Sequence, residues 1–271
     1  MPELPEVETV RRALEKDIIN LEITDVLIKY EPIVSNEINY FKENVIGKKI
    51  IKLERRGKFL IFRLNEGALI SHLRMEGKYF YVLKDSMDNK HIHLIYYLSN
   101  GYMLCYQDVR KFGRIEYKND EDLYNTFPIN NVGYDPILDK EIEINKIYDK
   151  IINKAVPIKT TLLDQSIIAG LGNIYVDEVL FKSKINPLKE SNLITLKELE
   201  EIIKNTKEIL SKAIELKGTT IRSYTSSLGV KGQYQDFLLV HTKEFCPICK
   251  NKLLKIKIGG RSTYYCKNCQ E

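Results

Sequence analysis

The sequence predicts an α+β protein, and three observations carry that expectation. An apolar stripe at helical spacing opens the chain, a long strand-rich stretch of β-branched and aromatic residues follows, and helical periodicity returns in the second half. The 271 residues give room for two domains, or one large one, with a proper core. Four of the five cysteines then close the chain as two Cys-x2-Cys pairs.

Residues 4–16 read as the first helix. Val7, Val10 and Leu14 share one face, and Pro5 sits in the first turn, where a missing N–H does no harm. From Ile23 to about Tyr117 the chain reads as strands, with examples at 50–53, 59–64, 69–73, 79–83, 92–98 and 102–106. Asn100-Gly101 between the last two signals a hairpin. Many short strands separated by turns suggest a β-sandwich with the first helix packed on it. Residues 119–143 are polar and acidic, hold Pro128 and Pro136, and form the expected linker.

Helices are expected next at 144–153, 160–168 and 173–182, the last two joined by Ala169-Gly170-Leu171-Gly172. The longest helix starts at Thr195, where Glu198 completes a capping box. Leu199, Ile202, Ile203, Thr206, Ile209, Leu210, Ala213 and Ile214 form its core stripe, and Gly218 stops it.

Hydrophobic content of 44% and charged content of 29% are ordinary for a globular protein. No apolar run approaches a membrane span, and the first residues hold acids where a signal peptide needs bases. The expectation is a cytoplasmic protein with no membrane partner. Net charge is +5, unevenly spread. Residues 219–271 hold nine lysines and arginines against three acids, a net +6, which leaves residues 1–218 at −1. A basic segment on a near-neutral body suits a polyanion as well as plain solvent.

Cys246-x2-Cys249-x16-Cys266-x2-Cys269 is the spacing of a four-cysteine zinc ribbon, with one structural Zn2+. Two disulfides are the alternative, disfavoured in a reducing compartment. Cys105 is left over in a strand and reads as a buried apolar side chain. The turn before Asn173 leaves free helix N–H groups that suit a phosphate, or simply a helix corner. His72-Leu73-Arg74-Met75-Glu76-Gly77 and Asp108-Val109-Arg110-Lys111-Phe112-Gly113 each place long side chains at a strand end before glycine. As exposed tips they would wedge into a base stack; as ordinary strand ends they would be core.

The opening Met1-Pro2-Glu3-Leu4-Pro5-Glu6 is open to two readings as well. Pro2 and Pro5 suit a helix start. Alternatively, once Met1 is removed, Pro2 is a secondary amine, able to attack an electrophilic carbon and hold the intermediate as an iminium.

Six stretches, at 1–12, 55–59, 72–77, 108–113, 162–181 and 261–270, together resemble the bacterial formamidopyrimidine-DNA glycosylases, in family order from one end to the other. The resemblance implies a bifunctional glycosylase and abasic-site lyase of base excision repair, acting on 8-oxoguanine and formamidopyrimidines in damaged double-stranded DNA. It implies an N-terminal helix on a β-sandwich, then a helix-two-turn-helix domain and a zinc ribbon, with DNA in the cleft between. The expected division is 1–118 (catalytic β-sandwich), 119–143 (linker), 144–236 (helix-two-turn-helix with a lesion-closing loop) and 237–271 (zinc ribbon).

Roles follow residue by residue from the resemblance. Pro2 matches the nucleophile, Glu3 the acid for sugar-ring opening, Lys58 the donor for β-elimination and Arg261 the donor for δ-elimination. Glu6 and Lys159 match supporting site residues. Met75, Arg110 and Phe112 match the trio that fills the duplex after flipping, and His72, His91, Lys154 and Asn173 match DNA contacts. The loop 222–234 corresponds to the segment that closes over the flipped base, and a monomer is expected.

Two departures stand out: residues 239–245 lack the Val-Tyr-Gly-Arg-like run common in the family, and Ser223 stands where an acid often follows the loop arginine. The sister endonuclease VIII type, which removes oxidised pyrimidines, usually has glycine where Leu4 stands here. A DNA-binding module without catalysis is the rival of another class, against which Pro2, Glu3 and Lys58 stand together.

Overall fold

The computed structural model describes residues 1–84, 86–87, 89–219 and 232–271. Packing divides them into two compact units: residues 1–130 with Thr219 and Gly232, and residues 131–218 with 233–271.

The first unit begins with helix α1 (Leu4–Ile18), two residues longer than its periodicity suggests. Glu3 caps it, with a reciprocal capping box to Glu6, and Pro5 lies in the first turn. Val7, Val10, Leu14 and Ile18 are all at most 1% exposed and face the core. The chain continues as β1 (Ile23–Ile28), α2 (Ile38–Val45), β2 (Ile50–Arg56), β3 (Phe59–Leu64), β4 (Ala68–His72), β5 (Lys78–Leu83), β6 (Ile92–Leu98), β7 (Tyr102–Gln107) and β8 (Arg114–Lys118). Two antiparallel four-stranded sheets result among the described residues, ordered β1-β6-β7-β5 and β2-β3-β4-β8. Their facing side chains, with those of α1 and α2, form one core that includes Leu60, Leu94, Leu104, Ile115 and Phe41. The sandwich with its packed helix is as the sequence predicts.

Asn100-Gly101 does form the β6–β7 turn: Gly101 takes φ +82, and its N–H donates to the Leu98 carbonyl at 3.1 Å. Helix α2 is not expected from the strand-rich stretch. Its cap is Glu37, whose carboxylate accepts from the Asn39 and Tyr40 N–H groups, and Phe41 and Val45, four apart, bury one face. The polar stretch after β8 also carries structure, with α3 (Asp122–Asn125) and a 3-10 turn at Ile129–Asn131.

The second unit holds α4 (Ile144–Ile151), α5 (Ile158–Leu162), α6 (Asn173–Lys182), α7 (Leu196–Glu215) and the hairpin β9 (Leu254–Ile258) with β10 (Arg261–Tyr265). Helix α7 is capped by Thr195 and Glu198 as predicted, and every residue of its predicted stripe is buried. Gly218, φ +75, ends it by donating to the Ala213 carbonyl at 2.7 Å.

The helix expected at 160–168 is corrected: α5 stops at Leu162. Asp164 is the reason. Its carboxylate accepts from both the N–H and the hydroxyl of Ser166, which diverts the backbone into a turn. The apolar pair Ile167 and Ile168 is buried by that turn rather than by helix.

Candidate active site and nucleic-acid interface

In the first unit, Pro2 is buried at the start of α1, and Glu3 and Glu6 are 2% and 3% exposed. Glu6 Oε2 accepts the Glu3 N–H at 2.9 Å, while Oε1 accepts the Thr219 N–H at 2.8 Å and its hydroxyl at 3.3 Å. One carboxylate thus fixes the backbone one residue after Pro2 and the backbone at Thr219. Such contacts are beyond sequence reading, because 213 residues separate the partners.

Lys58 is 4% exposed, in the β2–β3 turn. Buried Arg55 braces that turn, donating to the Gly57 carbonyl at 2.9 Å and to Glu8 at 3.2 Å. Burial pushes the Glu8 carboxyl up, but hydrogen bonds from Arg11 and Arg12 and the charges of Arg11 and Arg55 outweigh it and hold the group below its usual range. Arg55 is a bracing residue that the sequence offers only as a neighbour of Lys58.

The two tips are built differently. After β4, His72 Nδ1 accepts the Arg74 N–H at 2.9 Å, which fixes the ring as neutral at that nitrogen. Desolvation, then the Arg74 and Lys58 cations, lower the His72 pKa to about 3. Arg74 takes φ 53 and Met75 is half-buried. After β7, fully buried Asp108 accepts from the N–H groups of Arg110, Phe112 and Gly113 at 3.0, 2.9 and 2.8 Å. That grip leaves Arg110 exposed and Phe112 48% exposed, with the guanidinium 4.8 Å from the Phe112 ring centroid. The Asp108 N–H in turn donates to the carbonyl of half-buried His91 at 3.0 Å. Gly77 and Gly113 close the tips against the same side chain: a Cβ would meet the Tyr106 hydroxyl at 2.3 Å from Gly77 and at 1.7 Å from Gly113.

In the second unit, Arg261 is exposed at the start of β10. Asn173 opens α6 behind Gly172, and its Nδ2 donates to the Ser262 carbonyl at 2.9 Å. Gln165 holds the preceding glycine turn, donating to the Leu163 and Leu171 carbonyls and accepting the Gly170 N–H. Half-buried Lys154 pairs with Asp164 at 3.1 Å. Lys159 is fully buried: its ammonium reaches Asp177 at 2.7 Å, the Thr263 hydroxyl at 2.8 Å and the Ser262 carbonyl at 3.2 Å. An ammonium without exposure, held by protein acceptors, braces the hairpin from beneath.

The four cysteine sulfurs lie within 4.8 Å of one another, with Cys246–Cys269 at 3.8 Å and Cys249–Cys266 at 3.4 Å. Four thiolates at Zn–S distances of about 2.3 Å would sit about 3.8 Å apart in a tetrahedron. The donor set therefore fits one structural Zn2+, with no open position for chemistry.

Residues 239–245 also take on a structure. Buried Glu178 accepts the N–H groups of Leu239, Val240 and His241, and His241 Nδ1 meets Asp177 Oδ2 at 2.8 Å. Set against Val-Tyr-Gly-Arg, the glycine falls on Thr242, whose φ of +64 is the left-handed conformation that glycine favours. The loop expected at 222–234 lies outside the described residues from 222 to 231, as does Ser223.

Similarity to known proteins covers the whole chain. The formamidopyrimidine-DNA glycosylase N-terminal domain matches residues 1–115, the formamidopyrimidine-DNA glycosylase H2TH domain matches 132–225, and the zinc finger found in FPG and IleRS matches 243–271. The formamidopyrimidine-DNA glycosylase of Mycoplasmopsis pulmonis is 45% identical over 277 residues, covering 100% of this chain and 98% of its own. The chain belongs to the formamidopyrimidine-DNA glycosylase family.

Other family members agree. The Streptococcus pneumoniae (strain TIGR4) formamidopyrimidine-DNA glycosylase is 41% identical over 272 residues, covering 100% of this chain and 99% of its own. A point mutant of the Lactococcus lactis FPG, solved with a Fapy-dG containing DNA, superposes with a TM-score of 0.93 at 40% identity over 100% of both chains. The Lactococcus lactis Fpg complex with an abasic site containing DNA gives 0.92 at 41% identity over 99% of both. The chain is an α+β protein of the formamidopyrimidine-DNA glycosylase fold, and its enzymatic class is that of the family, a DNA glycosylase with abasic-site lyase activity. No helix among the described residues is long and apolar enough to cross a membrane.

Proposed function

We propose that this glycosylase excises oxidised purines, 8-oxoguanine and formamidopyrimidines, from double-stranded DNA through an imine on Pro2 and then cleaves the strand by β,δ-elimination. The observation that carries the reading is the N-terminus itself. Pro2 is buried beside two buried carboxyl groups, and the Glu6 carboxylate holds the peptide that follows it. The relatives solved with Fapy-dG and abasic-site DNA, matched along the whole chain, support the same substrates here.

In this reading the Pro2 nitrogen, freed by removal of Met1, attacks C1′ of the damaged nucleotide, and the base departs. Glu3 supplies a proton to the sugar ring oxygen as the ring opens, which gives the iminium. Loss of a C2′ proton then breaks the C3′–O bond, with Lys58 as donor to the leaving phosphate. Loss of a further sugar proton breaks C5′–O, with Arg261 as donor. Flipping the base out of the stack costs a few kcal/mol. Met75, Arg110 and Phe112 offset that by filling the duplex, while His72, His91, Lys154 and Asn173 contact DNA and Lys159 supports the site. The bound zinc supplies a fold for the ribbon and takes no part in these steps.

The division into 1–118, 119–143, 144–236 and 237–271, a monomeric state and a cytoplasmic, nucleoid-associated location belong to this reading too. Borohydride trapping tests it, on duplexes holding 8-oxoguanine or thymine glycol and with protein whose Met1 removal is verified by mass. A covalent complex with the 8-oxoguanine duplex is expected, and is expected to be absent from protein that retains Met1, in which the Pro2 nitrogen is held in an amide bond. No trapped complex would overturn the imine reading, and strong preference for thymine glycol would overturn the purine assignment.

A further inference from the structure

The strand that carries Arg261 is held by a cluster of buried charges around one carboxylate. Asp177, on α6, is 1% exposed. Its Oδ1 meets the Lys159 ammonium at 2.7 Å, and its Oδ2 meets His241 Nδ1 at 2.8 Å and the Tyr264 N–H at 3.2 Å. Lys159 in turn holds Ser262 and Thr263, so three consecutive residues after Arg261 are tied directly or indirectly to Asp177. The His241 ring packs edge-on against Tyr264, with centroids 5.1 Å apart. Three separate parts of the chain therefore converge on β10: α5 through Lys159, α6 through Asp177, and the segment before the ribbon through His241.

A buried ion pair is a weak source of net stability, because desolvation offsets most of the attraction. Its geometric effect is stronger. Removing one partner leaves an uncompensated buried charge, and the surrounding backbone must shift to solvate it. The cluster is thus arranged to fix a backbone position, and the exposed side chain at the head of that backbone is Arg261.

We propose that Asp177 is a positioning residue for the second elimination, acting through Lys159 and the Tyr264 N–H to hold Arg261 where it meets the leaving phosphate. This inference rests on the role given to Arg261 above. In that step a C4′ proton leaves, the C5′–O5′ bond breaks, and the departing phosphate oxygen takes the electron pair, with the guanidinium donating to it. An error of about 1 Å in a donor of this kind is enough to lose much of its contribution. The first steps are assigned to Pro2, Glu3 and Lys58, which lie in the first unit, whereas β10 belongs to the second.

The test is product analysis with the full-length, zinc-loaded protein on an abasic-site duplex. Gel separation resolves strands ending after β-elimination alone from those ending after β,δ-elimination. For Asp177→Asn, the β,δ fraction is expected to fall at least fivefold, with borohydride trapping within about twofold of the unmodified protein. Thr263→Val removes one of the acceptors of Lys159 together with the hydroxyl's own 3.2 Å bond to the Arg261 carbonyl, and leaves Asp177 in place. It is expected to shift the ratio the same way by a smaller factor, and an unchanged ratio in it overturns the inference if Asp177→Asn does not fold. An unchanged product ratio in the folded variants overturns the inference, as does an equal fall in trapping and in δ-elimination, which would mark a purely structural role. Failure of the unmodified protein to trap would instead overturn the reading of Pro2, an outcome separate from either variant.

Discussion

The two tips of the first unit, 72–77 and 108–113, do the same thing with different chemistry. Each ends a strand, each passes through a non-glycine residue in the left-handed region (Arg74 at φ 53, Lys111 at φ 58), and each closes on a glycine. One is organised by a neutral imidazole with a single acceptor nitrogen, the other by a carboxylate that gathers three N–H groups. The difference teaches that the carboxylate gathers a whole loop, whereas the imidazole adds a single side-chain bond, held only while its ring stays neutral, to a tip also closed by the Gly77 N–H donating to the Leu73 carbonyl at 2.9 Å.

The sharpest way to break that contrast is Asp108→Ala. Three backbone donors lose their acceptor at once, so stability should fall by roughly 2–4 kcal/mol in chemical denaturation. Affinity for an abasic-site duplex should drop more than about tenfold as Arg110 and Phe112 lose their placement. A variant with unaltered midpoint and affinity would mean that the loop supports itself.

The imidazole tip predicts a pH dependence of smaller size. The folded His72 pKa, about 3, lies below the unfolded value near 6.5, so the neutral ring contributes stability above pH 6.5. That contribution drains away as pH falls from 6.5 towards 3. Between about pH 7 and pH 5 the loss from this residue should be about 1 kcal/mol, after allowance for partial exposure. His72→Gln, whose amide oxygen can accept the Arg74 N–H, should flatten that part of the denaturation midpoint–pH curve. An equally steep curve in the variant would place the pH dependence elsewhere.

The smallest effect concerns the left-handed residues. Arg74→Gly and Lys111→Gly relieve backbone strain but add chain entropy to the unfolded state, so both should stay within about 1 kcal/mol of the parent. Arg74→Gly should be the more favourable, because Lys111 also gives up its place 4.5 Å from the Tyr30 ring centroid. Thermal midpoints would rank them, and the reverse order would remove the ring contact from the account of this tip.

Much of the scaffold was legible because its signals are local. The Thr195–Glu198 capping box, the α7 stripe and the paired cysteines each sit within a few turns or a fixed spacing. What failed was also local but competed with a stronger pattern. Asp164 broke an apolar run that reads as helix, and Glu37 started α2 among strands. The candidate site was legible as residue types and not as geometry. Nothing near Asp177 in the sequence announces that it will meet His241, Tyr264 and Lys159, which lie 64, 87 and 18 residues away. Asp108 could have been found: an aspartate two residues before an exposed turn, with glycine five residues on, is a common way to satisfy loop N–H groups.

The Tyr106 hydroxyl, on which Gly77 and Gly113 both close, has a genetic consequence. A side chain at Gly113 would collide only with the Tyr106 ring and its hydroxyl, so a second change at position 106 to a smaller residue is the natural suppressor. At Gly77 the same suppressor fails, because the Leu73 carbonyl oxygen would still lie 2.6 Å from the new carbon. Selection for revertants should therefore recover compensated lineages at one tip and only true reversion at the other.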